Sequence, residues 1–295
     1  MVVTQENVAV NGSTRRTPQE IADILRERIR VGELKAGDRL PTQAELAGEF
    51  GVERGTVRQA LRALQEDGLL TNISKGSPPR IAEPTPAGEQ PQSTLVGLAP
   101  RLTEAFAARR VTIDAVCLTA ESLMIGLGEP MRLIHQGTLR PESVEARILL
   151  PSRDISLAFP TPVQGDDDAV HRRWLQMRNA HGQVLRHNLL ALRSSHGIDV
   201  RVTFRALPFT PPVKLYLLNG TEALFAYYMI GRRSEYVDPG TAATGATTEL
   251  YDVLGAESLL FPFAQDAGRD ARFVEESQKW FDALWETITT DLNLG

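Results

Sequence analysis

The chain has a single cysteine, Cys117, in 295 residues. That excludes an intrachain disulfide and the cysteine-rich zinc modules, and it fits a reducing compartment. Set in Val111-Thr-Ile-Asp-Ala-Val-Cys-Leu118, it reads as a small buried apolar residue rather than a reactive thiol. No unbroken apolar run approaches the ~20 residues a membrane-crossing helix needs. The polar start from Met1 to Arg16 lacks the apolar centre of a signal peptide. The expectation is a soluble, cytoplasmic protein with no membrane partner, opening on a disordered tail over residues 1–13. Positive charge is not in excess either. Against 37 Asp and Glu stand 32 Lys and Arg, a formal net charge of −5, so any nucleic-acid surface has to be local. Histidines number five, and His181 and His187, six apart, do not share a helix face as a metal-binding pair should. Asp166-Asp-Asp168 precedes a helix start, where acids favour the positive end of the dipole. No phosphate loop, dinucleotide fingerprint or catalytic-triad spacing is present. No cofactor, metal or catalytic residue is expected, and the chain does not read as an enzyme.

What is present concentrates between Ala36 and Gly76. From Thr42 to Phe50 the apolar positions Leu46, Ala47 and Phe50 fall three to four apart. Gly51 supplies the positive φ that ends a helix at little cost. In the next segment Val57, Ala60, Leu61 and Leu64 share one face and leave Arg54, Thr56, Arg58, Gln59 and Arg62 outside it. Arginines so placed can bond guanine O6 and N7 or pin a phosphate, and threonine can meet a phosphate or a thymine methyl. Upstream, Thr17 is a good N-cap with Pro18 at N1 and Glu20 at the capping-box position, and Ile21, Ile24, Leu25 and Ile29 form an apolar stripe. Gly32 marks that helix's end. Three helices followed by a small hairpin give a winged helix-turn-helix over residues 14–82.

Gly37-Asp-Arg-Leu-Pro-Thr42, Glu45-Leu-Ala47, Phe50-Gly-Val52, Arg54-Gly-Thr-Val-Arg-Gln-Ala-Leu61 and Asp67-Gly-Leu-Leu70 resemble the DNA-binding domain of GntR-family transcription regulators. The resemblance implies a homodimer on a two-fold-related double-stranded operator. Carried over position by position, it gives Thr42, Gln43, Arg54, Thr56, Arg58, Lys75 and Gly76 as DNA contacts. Three positions depart from the pattern. Ala44 stands where many members have arginine, and Glu53 where they have a serine cap. The wing reads Ser74-Lys-Gly-Ser-Pro-Pro-Arg-Ile81, and Pro78-Pro79 donates no ladder hydrogen bonds, so a short, edge-like strand is expected.

Glu83-Pro-Thr-Pro-Ala-Gly-Glu-Gln-Pro-Gln-Ser-Thr94 reads as an extended tether, with a linker over 83–95 and a second domain over 96–295. There the pattern predicts a helix over 100–110, a strand over 111–118, a helix over 120–136 broken between Gly126 and Pro130, and a strand over 145–150. A long helix over 171–195, strands over 198–206, 213–218 and 222–230, and an amphipathic helix over 269–292 complete it. That alternation gives an α/β sheet domain, and an α+β multidomain protein overall. It does not suit the helical bundle that follows the winged helix in the acid-sensing branch of the family.

Pro212-Val-Lys-Leu-Tyr-Leu-Leu-Asn-Gly220 also resembles, in degenerate form, the His-x-Lys-x-x-x-x-Asp-Gly signature of phospholipase D-like proteins. Pro212 replaces the histidine nucleophile and Asn219 the aspartate, while Lys214 survives. The resemblance implies a retired phosphodiesterase with Lys214 and Asn219 at a site for a phosphate-bearing effector; without an imidazole no covalent intermediate can form. The pairs Arg172-Arg173 and Arg232-Arg233 read as solvated surface. The expected function is a transcription regulator, a repressor by family habit, with a C-terminal domain that dimerises and senses a small molecule. A pure dimerisation or protein-docking module and an active phosphodiesterase are the alternatives.

Overall fold

In the computed structural model of the chain, residues 16–30, 33–35, 37–66, 69–71, 79–82, 91–165, 168–235, 247–265 and 268–295 are described. Two compact units divide between Glu83 and Pro84. The expected tail over 1–13 lies outside the described residues. Among those described, no helix is long and apolar enough to cross a membrane.

The first unit packs α1 (Pro18–Arg30), α2 (Gln43–Phe50) and α3 (Arg54–Glu66) beside the paired strands β1 (Leu70–Thr71) and β2 (Arg80–Ile81). Ile21, Leu25, Leu46, Val57, Leu61 and Leu64 are fully buried and form its core. Two capping boxes fix the helix starts. Thr17 N–H donates to the Glu20 carboxylate at 2.6 Å while Glu20 N–H donates back to Thr17 Oγ1. Thr42 and Glu45 repeat the exchange at α2, which Gly51 closes at φ +66°. The wing strand is short, as its prolines predict, but it is not an edge. Arg80 bridges Arg39 on the side away from β1. Pro79 fits there because only its carbonyl is required: it accepts from Leu40 N–H at 2.9 Å.

The second unit runs β3 (Gln92–Ser93), α4 (Thr94–Ala105), β4 (Arg110–Val116), α5 (Glu121–Gly126), α6 (Gly128–His135), β5 (Ser143–Pro151), β6 (Thr161–Pro162), α7 (Asp168–His196), β7 (Asp199–Leu207), β8 (Val213–Leu218), β9 (Glu222–Tyr227), β10 (Ile230–Glu235), β11 (Thr248–Val253), β12 (Leu259–Ala264), α8 (Gly268–Glu286) and β13 (Thr290–Asp291). Eight strands form one mixed sheet in the order β13-β7-β5-β4-β8-β9-β12-β3, and β10-β11-β6 form a second. Strands β4, β5 and β7 are parallel, so α5–α6 and α7 serve as their crossovers. Leu123, Leu127, Ile134, Leu185, Leu189 and Leu192 from these helices enter one core with Leu98 and Leu102 of α4. On the opposite face Val274, Phe281 and Leu284 of α8 cover Leu149, Leu207, Leu215 and Leu217. The result is helix, sheet, helix.

Four differences from the sequence reading have local causes. The tether ends earlier than expected, because Gln92–Ser93 pair with Leu259–Leu260; Thr94 opens α4, and Pro100 sits inside that helix. The strand expected over 222–230 ends at Tyr227: Tyr228 N–H still reaches Pro212 O at 3.2 Å in the β8–β9 register, but Pro212 has no N–H to return the bond, and β10 joins the other sheet. Strands β11 and β12, which have no clean alternation, were not expected. The last helix stops at Glu286, leaving Thr290–Asp291 to pair with β7.

One charged cluster sits inside the α8 layer. Arg147 of β5 donates to both carboxylate oxygens of Asp114 of β4 at 2.7 and 2.5 Å and to Asp282 of α8 at 2.8 Å. Gln278 donates to Asp114 at 2.8 Å, and the Arg147 guanidinium lies 5.0 Å from the centre of the Phe281 ring. The side chain of Asp114 is 9% exposed and that of Asp282 39%. Removing the buried partner leaves Arg147 half-desolvated without its bidentate acceptor, whereas Asp282 is screened by water. Asp114→Ala should therefore lose about 3 kcal/mol of unfolding free energy in a urea titration, and Asp282→Ala less than about 1 kcal/mol.

Candidate nucleic-acid interface

The face of α3 that does not enter the core carries Arg54, Arg58, Gln59 and Arg62, all exposed, while Val57, Ala60, Leu61 and Leu64 are buried. The three arginines stand four residues apart and span about 12 Å of helix. None of them has an ion pair among the described residues. Thr56 is half-buried, and its N–H donates to Glu53 O at 3.0 Å. Glu53 gives α3 no side-chain cap among the described residues, in line with the missing serine.

At α2 the geometry divides the expected contacts. The Thr42 hydroxyl is held in the capping box and donates to Glu45 at 2.8 Å, so this residue sets the helix start. The Thr42 backbone N–H and, after it, that hydroxyl bond lower the Glu45 pKa. Gln43 follows, half-buried, at the first turn. Lys75 and Gly76 lie outside the described residues. The structure adds Arg39, exposed beside the wing strand, and Arg62, one turn beyond Arg58. Both were readable: Arg62 continues the spacing of Arg54 and Arg58, and Arg39 lies within the Gly37-Asp-Arg-Leu-Pro motif.

In the second unit the two expected ligand residues are not brought together. Lys214 opens β8 and Asn219 follows its other end, about 16 Å away at strand rise. Asn219, at φ +55° in the hairpin turn, donates to Ala105 O at 3.0 Å and accepts from Thr112 N–H at 2.9 Å. Its amide ties the turn to α4 and β4. Lys214 is 2% exposed. Its Nζ donates to Ser122 Oγ at 3.0 Å and to Gly255 O, and lies 5.5 Å from the Tyr228 ring centre. A Cβ on Gly255 would come 3.2 Å from that Nζ. Burial pulls the Lys214 pKa down to about 8 and pushes the adjacent Cys117 thiol up to about 12, which matches an inert, buried cysteine.

The remaining polar groups mostly serve the fold. Arg173 and Arg233, expected as solvated surface, are engaged: Arg173 pairs with Glu235, and Arg233 with Glu235 at 2.6 Å and Asp252 at 3.6 Å. Arg232 stacks 5.4 Å over Tyr251, and Arg172 is exposed. His171 Nε2 meets Arg153 O at 2.9 Å, and His135 Nδ1 meets His196 Nε2 at 2.7 Å. Among the described residues no three His, Cys, Asp or Glu side chains gather as a metal site would require.

The lowered Lys214 pKa has a defined sign. Between about pH 8 and the ordinary lysine value of 10.5, the unfolded chain holds a proton on this group that the folded chain has released, so stability gains with pH from it. Above about pH 9 the raised Cys117, Tyr216 and Tyr228 oppose that gain. The comparison with Lys214→Met isolates it. In urea titrations from pH 7 to 9, the parent should gain stability relative to the Lys214→Met variant as pH rises above 8.

Comparison with known proteins bears on the first unit. The family described as bacterial regulatory proteins, gntR family, matches residues 17–77. The mannosyl-D-glycerate transport/metabolism system repressor MngR of Escherichia coli K12 is 58% identical over 55 residues, which are 19% of this chain and 23% of that protein. YtrA from Sulfolobus acidocaldarius, a GntR-family transcription factor of known structure, is 30% identical over 27% of this chain and 81% of its own, with a TM-score of 0.22. A fit of phosphatidylserine synthase from Haemophilus influenzae covers 81% of this chain and 47% of that one, at 9% identity and a TM-score of 0.34, too loose to bear on the second unit. The chain spans about a quarter of the length of the curated relatives it matches. The capping boxes, the exposed arginine row on α3 and the matched run agree: residues 17–77 form a helix-turn-helix domain of the gntR family of bacterial regulatory proteins.

Proposed function

We propose that the protein is a sequence-specific DNA-binding transcription regulator of the cytoplasm that acts as a homodimer and represses. The observation that carries this reading is the row of Arg54, Arg58 and Arg62 on α3, exposed and without ion pairs among the described residues of an acidic chain. Their four-residue spacing gathers three positive charges on one face of one helix. A row held open suits a partner that brings its own negative charge. Repression rests on the relatives: MngR and the histidine utilization repressor of Klebsiella aerogenes, 36% identical over 66 residues, carry it in their names.

The second unit is assigned to dimerisation and sensing. With Pro212 where a histidine nucleophile would stand, phosphodiester cleavage has no attacking group. An effector phosphate reaching Lys214 would have to displace its bonds to Gly255 O and Ser122 Oγ. A dimerising role is favoured by an exposed apolar cluster at the base of the β10–β11 hairpin. Tyr227, Met229, Ile230, Tyr251 and Leu254 are five of the nine large apolar side chains exposed among the described residues. Ile230 is 58% exposed and Met229 68%, large apolar side chains of the kind that interaction surfaces use. A second copy is the occupant that fits, because one recognition helix per chain reads one half-site and a two-fold operator needs two.

Two measurements test this. On an operator selected from random duplex DNA, Arg54→Ala should cost about 1–3 kcal/mol in affinity and relax preference at one base pair, whereas a phosphate contact would lower the salt slope by about one. Unchanged affinity and slope for Arg54→Ala, Arg58→Ala and Arg62→Ala alike would sink the DNA reading. For the seam, Met229→Glu with Ile230→Glu should turn a dimer into a folded monomer by light scattering; a monomeric parent chain would remove the proposed dimer.

A further inference from the structure

Between α5–α6 and α7 lies a cleft of about 260 Å³, open to solvent along Gly128, His135, His187 and Asn188 and walled on its inner side by Met124, Leu127, Met131, Leu185 and Leu189. Its origin is a break in one helix. Gly126 lets α5 settle against α4, where a Cβ would come 3.0 Å from Leu102 Cδ1 and 3.1 Å from Leu98 Cγ. The helix is interrupted at Leu127 and restarts as α6 at Gly128. Past that step the helix no longer fills the space against α7. The apolar wall belongs to the main core of the unit, against which Met124 and Met131 pack half-buried.

Polar groups are few. His135 Nδ1 is taken by His196 at 2.7 Å, while His187 and Asn188 stand solvent-exposed at the mouth with no hydrogen-bond partner among the described residues. An apolar cavity with one or two convergent donors is the general form of a small-molecule site. Size and wall chemistry narrow the ligand. A void of about 150 Å³ lined by aliphatic side chains admits benzene, so this cleft has room for a substituted or fused ring. Two thioethers on the wall make favourable contacts with aromatic edges and faces. We infer that this cleft binds a small aromatic molecule carrying a single hydrogen-bonding head group, the ring against Met124 and Met131 and the head towards His187 and Asn188. The site belongs to the second unit and does not depend on the chain's binding DNA.

The test uses the full chain labelled at its methionine methyls. Indole, phenol and benzamide are the probes, with cyclohexanol as the non-aromatic control of similar size. Conservative Met124→Leu and Met131→Leu variants assign the signals. At millimolar probe the Met124 and Met131 resonances should shift to saturation, while those of Met1, Met177 and Met229 stay. Filling the cleft from opposite walls, by Gly128→Leu and separately Ala191→Phe, should weaken binding at least tenfold while melting stays cooperative. Gly128 tolerates the change, since a Cβ there meets no atom within 4 Å. Unmoved Met124 and Met131 signals with all three aromatic probes would overturn the site. An equal response to cyclohexanol would overturn the aromatic class, and undiminished binding by both filled variants would place the ligand elsewhere.

Discussion

Both faces of the eight-stranded sheet must be covered, and most of the second unit follows from that constraint. Three parallel strands cannot be joined by tight turns, so β4, β5 and β7 need crossovers, and the crossovers supply one cover as α5–α6 and α7. The other face has no crossover to shield it. It is closed by a helix that arrives late in the chain, α8, and by a charged clamp that fixes where this helix lies. An apolar layer alone would tolerate sliding; the Arg147 fork reaching Asp114 on one side and Asp282 on the other admits one register.

Charge does different work in the two units. In the second, several guanidinium groups are consumed: Arg147 in the clamp, Arg173 and Arg233 against Glu235 and Asp252. In the first, the arginines of α3 are left facing water. A chain with net charge −5 thereby presents a strip of the opposite sign, which concentrates polyanion attraction on one helix face and keeps it off the rest.

The legible parts of the fold were those whose signals are local. Capping boxes at Thr17 and Thr42, the glycine stop at Gly51 and the apolar spacing of α3 are each set within a few residues, and they gave the first unit. Strand β8 and the latter halves of β4 and β5 declared themselves as apolar runs because both their faces are buried, and β7 by alternation of buried and exposed positions. Strands β10, β11 and β3 did not, since they are short or exposed and exist only because a distant partner accepts their hydrogen bonds. The candidate site shows the same division. The arginine row could be read from spacing, and so could the separation of Lys214 from Asn219, because the strand expected over 213–218 puts five steps of extended chain between them. The cleft beside Met124 and Met131 left no sequence signature beyond a break between Gly126 and Pro130.

Tyr228 occupies the point where β9 ends and the chain leaves one sheet for the other. Its hydroxyl accepts from Leu118 N–H at 2.8 Å and its ring faces Lys214. It is 7% exposed, and the next residue, Met229, is 68% exposed. Interior and surface are thus one peptide bond apart. Within two residues the chain passes from walling the Lys214 pocket to facing water at the start of the second sheet, so one short step sets both the enclosure of a buried cation and the exposure of Met229 and Ile230.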